Sequence, residues 1–206
     1  MNPLFTIGHS DHTASRFLAL LKVHGVDALA DVRSYPYSKR MPQFSRDTLE
    51  PTIEAAGIRY VFLGRELGAR REEAECYVNG QAKYQLIAQT PAFHEGLHRV
   101  LTGLERFRIA LMCSEYDPTT CHRMVLVCHA LRGLLPEITH ILRDGSLETN
   151  AEAERRLLRG MGLEGGAGIP HIVEQAYRHQ ADRIAYTDEE AVETPREAAP
   201  MNLNLL

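Results

Sequence analysis

The stretch from Arg108 to Leu135, RIALMCSEYDPTTCHRMVLVCHALRGLL, constrains the fold of this chain more than any other. Ile109, Ala110, Leu111 and Met112 form an unbroken apolar run, the pattern of a strand covered on both faces. The run stops at Cys113-Ser114-Glu115. Asp117-Pro118 then reads as a helix start, because aspartate caps free N–H groups and proline suits a first turn. Met124, Leu126, Val127, Ala130, Leu131, Leu134 and Leu135 recur at helical spacing, which predicts a helix with one face on the sheet. The turn between strand and helix carries Cys113, Glu115, Cys121, His122 and Arg123. Packing alone asks for small buried cysteines but not for a histidine and an arginine beside them. In open α/β sheets ligands bind outside the carboxyl ends of the strands, and a helix N-terminus there stabilises a thiolate or an anion.

The rest of the chain supplies the partners of that strand. Leu4 to Gly8, Val26 to Val32, Ile58 to Leu63 and Glu137 to Leu142 read as further strands. Between them, Thr13–His24, Ser45–Ala56 (with Ser45 as cap), Ala82–Gln89 and Pro91–Glu105 read as helices. Strands alternating with helices predict an α/β fold, a mainly parallel sheet of about five strands with helices on both faces. From Ser146 the pattern changes to a charged helix over Glu148–Gly160, a glycine-rich link and a helix opened by Pro170. We therefore expect an α/β core over 1–145, a C-terminal helical extension packed on it over 146–187, and a disordered acidic and Pro/Ala-rich tail over 188–206.

Two loops stand out. Arg33 to Phe44, RSYPYSKRMPQF, combines two prolines with Tyr35, Tyr37, Phe44, Arg33, Lys39 and Arg40. A stiff basic and aromatic loop at a strand end suits an anionic or planar ligand. Gly64 to Gly80 is polar and charged, an excursion from which Arg65, Arg70 or Arg71 would reach a ligand.

Composition limits the function classes. A formal charge of −4 disfavours nucleic-acid binding by the whole surface, although a local basic site is compatible with it. No apolar run reaches the length of a membrane span and no signal peptide is seen, so no membrane partner and a cytoplasmic location are expected. The four cysteines lack the spacing of a disulfide framework and are expected as reduced thiols. Cys128 reads as core and Cys76 as a bystander in the polar excursion.

Three chemistries fit these residues. In the first, an enzyme uses a thiolate: Cys121 in the first helical turns, next to His122 and Arg123, is the nucleophile. Cys113 is then its rival or resolving partner, Glu115 or His9 the general acid or base, and Arg33, Arg40 and Arg123 hold a phosphate or sulfur oxyanion. In the second, a nucleotide is bound or processed without covalent catalysis: Tyr35, Tyr37 and Phe44 stack a base, arginines hold phosphate, and Asp31 and Glu115 form the acid–base pair. In the third, Cys113, Cys121, His122 and His140 bind a structural metal. Against the third, adjacent residues on a helix point about 100° apart, so Cys121 and His122 are expected to diverge and no metal ligand is assigned.

In combination TIGHS, ADVRSYPYSKRMPQF, GIRYVFLGRELGAR, MCSEYDPTTCHR and EITHI resemble domain-of-unknown-function family 488 from Thr6 to about Leu142. The helix EQAYRHQADRIAY resembles the C-terminal segment of longer members. The resemblance implies an α/β domain with its shared polar residues at one site and names no reaction. It singles out His9, Ser10, Asp31, Arg33, Arg40, Pro42, Phe44, Cys113, Glu115, Cys121, His122 and Arg123. Lys39-Arg40 departs from a more usual Ser-Arg pair but keeps the arginine. The expected site thus has Cys113, Glu115, Cys121, His122, His9 and Asp31 as catalytic groups. Ser10, Arg33, Tyr35, Arg40, Phe44 and Arg123 hold a small anionic substrate or nucleotide. No cofactor is named.

Overall fold

The computed structural model describes residues 2–188. Among these residues eight strands form: β1 (Leu4–Gly8), β2 (Ala28–Asp31), β3 (Arg59–Phe62), β4 (Tyr77–Val78), β5 (Gln81–Ala82), β6 (Ile109–Cys113), β7 (Ile138–Ile141) and β8 (Leu147–Thr149). Six of them make one sheet in the order β3-β2-β6-β1-β7-β8, while β4 and β5 form a separate hairpin. All neighbours in the sheet are parallel except β8, which runs antiparallel to β7. The expected mainly parallel α/β sheet is therefore present, with one strand more than the five read from apolar runs.

Among the described residues eight α-helices accompany these strands: α1 (Ala14–Val23), α2 (Arg46–Ala55), α3 (Gly64–Leu67), α4 (Tyr84–Ile87), α5 (Pro91–Leu104), α6 (His129–Leu131), α7 (Asn150–Gly160) and α8 (Pro170–Ile184). Alternation along the strands sorts the side chains between two faces. Phe5, Ile7, Leu29, Ala110 and Met112 meet Phe17, Leu21, Leu49 and Ile53 of α1 and α2. Leu4, Ala28, Ala30, Ile109, Leu111 and Cys113 meet the opposite layer, built by the remaining helices.

The register positions the site. Gly8 pairs with Cys113, and Asp31 pairs with Met112, so three strand ends lie side by side with β6 between β2 and β1. Hydrogen bonds from His9 N to Cys113 O (2.9 Å) and from Val32 N to Met112 O (3.1 Å) carry this alignment past the strands. Gly8 permits a close approach on this edge: a Cβ there would lie 1.8 Å from the Glu115 carbonyl oxygen. Any larger residue would push the Cys113–Glu115 turn off β1.

The helix after β6 differs from its prediction. Asp117 does cap a turn, its carboxylate accepting from Thr119 N at 2.9 Å, but that turn is a short 3-10 segment, Pro118–Thr120. Cys121 then extends (φ −130°, ψ 140°) before the chain winds again, as a π-helix over Arg123–Cys128 that continues into α6. All six π-helical residues are buried, so this segment does not pack on one face only. The cause is that α7 and α8 join its core cluster and cover its outer side. Cys76, read as a bystander, is fully buried in the same cluster. Ser45 precedes α2 without capping it; its hydroxyl is engaged with the backbone of Ser38 instead.

The C-terminal segment is tied to the core. β8, its first element, extends the sheet, and Thr149 with Glu152 forms a capping box that starts α7. Arg156 of α7 bridges Glu148 and the capping residue Asp117, with N–O distances of 2.8–2.9 Å. Gln180 of α8 donates from its side chain to the carbonyl of Thr119 at 2.7 Å in a buried position. The extension thus holds the turn that leads into Cys121. Apart from Asp188, the tail expected to be disordered lies outside the described residues. Among the described residues, no helix is long and apolar enough to cross a membrane.

Candidate functional site

A cleft of about 340 Å³ opens at the carboxyl ends of β2 and β6. Arg33, Tyr35, Tyr37, Arg70, Tyr84, Cys113, Glu115, His122 and Tyr186 are among the residues that line it. Its volume suits a small ligand. The loop after β2 supplies Arg33 and its tyrosines, the segment after α3 supplies Arg70, and the segment after α8 supplies Tyr186.

At the floor, two sulfurs, a carboxylate and an imidazole converge. The sulfurs of Cys113 and Cys121 each lie 3.1 Å from the same Glu115 oxygen, Oε2. Cys113 Sγ is 3.5 Å from His122 Nδ1, and the other ring nitrogen, Nε2, is 2.9 Å from the Val32 carbonyl oxygen. Only a protonated Nε2 makes a bond to that carbonyl, so Nδ1 presents its lone pair to the sulfurs when the ring is neutral. The ligand atoms of Cys113, Cys121 and His122 all lie within 4.8 Å of one another. The extended Cys121 accounts for this convergence: with no helix at that residue, the expected divergence of Cys121 and His122 does not arise. Cys121 sits just before the helix, and its sulfur accepts from the Arg123 N–H at 3.5 Å. His140 is not in the cluster; its Nδ1 is bonded to Thr6 Oγ1 in the core at 2.8 Å.

Burial pushes the Cys113 thiol well above its ordinary value, and the neighbouring Cys121 and Glu115 add to the effect. Burial also raises Cys121, but the hydrogen bond from Cys113, the Arg123 charge and His122 outweigh it and hold Cys121 well below the usual thiol range. Glu115 is raised by burial and then by Cys121. For His122, burial favours the neutral ring, but Cys121 and Glu115 outweigh it and move the pKa up. In hydrogen-bond terms both thiols donate to Glu115, whereas the charges favour a Cys121 thiolate. Both descriptions keep a proton between Cys121 and Glu115, since a thiolate and a carboxylate at 3.1 Å repel strongly in a buried site.

Other expected residues take different places. Arg123 is fully buried and does not line the cleft. Its guanidinium donates to Thr6 Oγ1 (3.2 Å) and to the carbonyls of Glu115 (2.6 Å) and Tyr116 (3.1 Å), so it braces the cysteine turn from below. Asp31 is fully buried on the α1/α2 side, where it takes Nε (2.9 Å) and Nη2 (2.6 Å) of Arg33 and the Tyr60 hydroxyl (2.7 Å). Among the described residues the Arg33 Nη1 has no hydrogen-bond partner. His9 stacks on Phe44 with ring centroids 4.3 Å apart and does not line the cleft. Burial and then the Arg33 charge lower His9 to about 4. Ser10 follows with a left-handed φ of 45°, and Arg40 is exposed; neither lines the cleft. The structure thus brings Cys113, Glu115, Cys121, His122, Arg33 and Tyr35 together, whereas His9, Ser10, Asp31, Arg40, Phe44 and Arg123 do not line the cleft.

Tyr84 and Tyr186 were not anticipated. They come from α4 and from the end of the chain's described part, and nothing local in the sequence marks them. The Arg70 guanidinium lies over the Tyr186 ring, 4.4 Å from its centroid, which holds that cation at the cleft wall.

A mainly parallel α/β sheet with a polar cleft at its carboxyl edge defines the general class of this protein. More specifically, the chain belongs to the family described as domain of unknown function DUF488, whose model matches residues 13–130. No curated protein and no solved structure matches the chain.

Proposed function

We propose that the protein is an enzyme acting on a small phosphate- or sulfur-oxyanion-bearing substrate, with the Cys113–Cys121 pair as its reacting centre. The observation that carries this reading is the meeting of opposite chemistries in one cleft: Arg33 and Arg70 on the walls, and Cys113, Glu115 and His122 on the floor. Arginine N–H groups suit oxyanions. Asp31 holds the Arg33 fork in place while leaving Nη1 for a ligand. Cys113 is the cysteine that reaches the cleft, whereas Cys121 supports it from behind. Glu115 and His122 stand beside the sulfurs as proton carriers.

The test is binding of inorganic phosphate and sulfate, followed by turnover of a panel of phosphate and sulfur-oxyanion esters. Phosphate is expected to raise the thermal midpoint of the wild-type chain. Arg70→Ala should reduce that shift, and Cys113→Ser should abolish turnover while leaving the shift. If no oxyanion binds, or if Arg70→Ala binds as well as wild type, the reading fails.

A second reading, a nucleotide as the substrate, draws support from Tyr35, Tyr37, Tyr84 and Tyr186 in the same cleft. Base stacking adds about 1–3 kcal/mol per base. A nucleoside monophosphate binding no more tightly than inorganic phosphate removes this reading.

A further inference from the structure

We infer that the cysteine centre is a binding site for one thiophilic divalent cation, with zinc as its natural occupant and Cys113, Cys121 and His122 as its ligands. This deepens the proposed function: the two sulfurs act as metal-bound thiolates rather than as a free nucleophile and its partner.

Tetrahedral zinc at about 2.3 Å from sulfur and about 2.0–2.1 Å from nitrogen or oxygen sets neighbouring ligand atoms about 3.5–3.8 Å apart. Cys113 Sγ and His122 Nδ1 are 3.5 Å apart, and all three candidate ligand atoms fit within 4.8 Å. Glu115 Oε2 lies 3.1 Å from each sulfur, and Glu115 is among the residues that line the cleft, so a carboxylate stands beside the three candidate ligands. Two cysteines and a histidine with one position left over form a set suited to a catalytic rather than a closed structural site.

The surroundings are those of a metal site. His122 gives its Nε2–H to the Val32 carbonyl, which fixes the ring and its tautomer and aims Nδ1 at the sulfurs; ligating histidines are held this way. The Arg123 N–H to Cys121 Sγ supports one sulfur. Charge points the same way. Arg123 is fully buried, and among the described residues its hydrogen bonds reach only a hydroxyl, two carbonyls and a sulfur. Two thiolates and the Glu115 carboxylate offset the charges of a divalent ion and of this guanidinium together. Without the ion, both sulfurs crowd the same Glu115 oxygen at 3.1 Å.

The position also fits the proposed chemistry. The cleft reaches Cys113, Glu115 and His122, so an ion between them would offer its open position to an anion held by Arg33 and Arg70. There it would polarise a phosphoryl or sulfuryl oxygen, or a bound water.

The experiment begins with the full chain stripped of metal and exposed to Zn²⁺, desalted, and assayed for bound zinc by mass spectrometry. A competition titration against a chromophoric chelator follows. About one equivalent is expected. With Co²⁺ as the probe, thiolate-to-cobalt charge-transfer absorption and tetrahedral d–d bands should appear. Cys113→Ser/Cys121→Ser should weaken Zn²⁺ binding by at least about tenfold, whereas Cys128→Ala, which changes a core cysteine outside the cluster, should retain it. A wild-type chain that keeps no zinc, or a cobalt spectrum without thiolate absorption, overturns the inference even if the double variant fails to fold. Undiminished zinc in a folded double variant does so as well. Phosphate binding separates the two claims: oxyanion binding without zinc leaves the cleft reading standing alone, and zinc without oxyanion binding removes that reading and keeps the metal.

Discussion

Replacing Asp31 with asparagine tests how the cleft's arginine is held. Asp31 is 0 % exposed and Arg33 5 %, and the pair is joined through Nε and Nη2 at 2.9 and 2.6 Å. Asp31→Asn leaves Arg33 charged, buried and without its counter-ion. Removing one partner of a buried ion pair costs about 3–5 kcal/mol. Asparagine can still accept from the Arg33 backbone N–H or from Tyr60, which places the expectation near the lower end, at about 3 kcal/mol. In a chain of this size that corresponds to a fall of about 6–12 °C in the thermal midpoint. The chain has no tryptophan, so urea unfolding followed by far-ultraviolet circular dichroism is the suitable assay. The double variant Asp31→Asn/Arg33→Met removes the orphaned charge as well and should be clearly more stable than the sum of the single changes implies, with a coupling of about 1.5 kcal/mol or more. A loss below about 1 kcal/mol for Asp31→Asn, or strict additivity in the cycle, would show that this carboxylate does not hold Arg33.

Further outcomes follow from other contacts. Burial and then the Arg123 charge lower His140 to about 3, while unfolding returns it to about 6.5. Between these values the unfolded chain binds a proton that the native chain does not, so stability falls with falling pH by about 1.4 kcal/mol per unit. His140→Gln should flatten that acid limb in pH-dependent urea titrations, and an unchanged slope would contradict it. Gly8→Ala should displace the Glu115 carbonyl that Arg123 holds; unaltered backbone amide shifts for Ser114–Tyr116 in nuclear magnetic resonance spectra would count against that contact. Arg156→Ala removes both bridges to Asp117 and Glu148 and should speed hydrogen exchange at Thr119 and Cys121 more than in α1. Equal protection in the variant and the wild type would show that α7 does not hold the turn.

The sequence showed the sheet more readily than the site. Ile109 to Met112 and the other apolar runs mark buried strands because covered strands have little choice of residue. β8 escaped because Leu147–Thr149 is three residues long and its leucine is half exposed. The converging strand ends were legible as types of residue, since Cys113, Glu115, Cys121 and His122 cluster along the chain. Their geometry was not legible. It depends on one extended residue, Cys121, inside a segment that otherwise carries every helix signal, and on a π-helix that no spacing of apolar residues announces. Arg123 shows the same limit, because charge is visible in a sequence but its engagement by three backbone and side-chain oxygens is not. Tyr84 and Tyr186 reach the cleft from distant segments brought together only by tertiary packing.

The proposed function requires a small oxyanion to bind between Arg33 and Arg70 above Cys113. Crystals of the full chain soaked in tungstate, with anomalous scattering to locate the metal oxyanion, test it most directly. An anomalous peak is expected inside the cleft, within hydrogen-bond reach of an arginine on its wall and facing the Cys113–His122 floor. A well-occupied peak elsewhere, with the cleft empty at saturating tungstate, would contradict it.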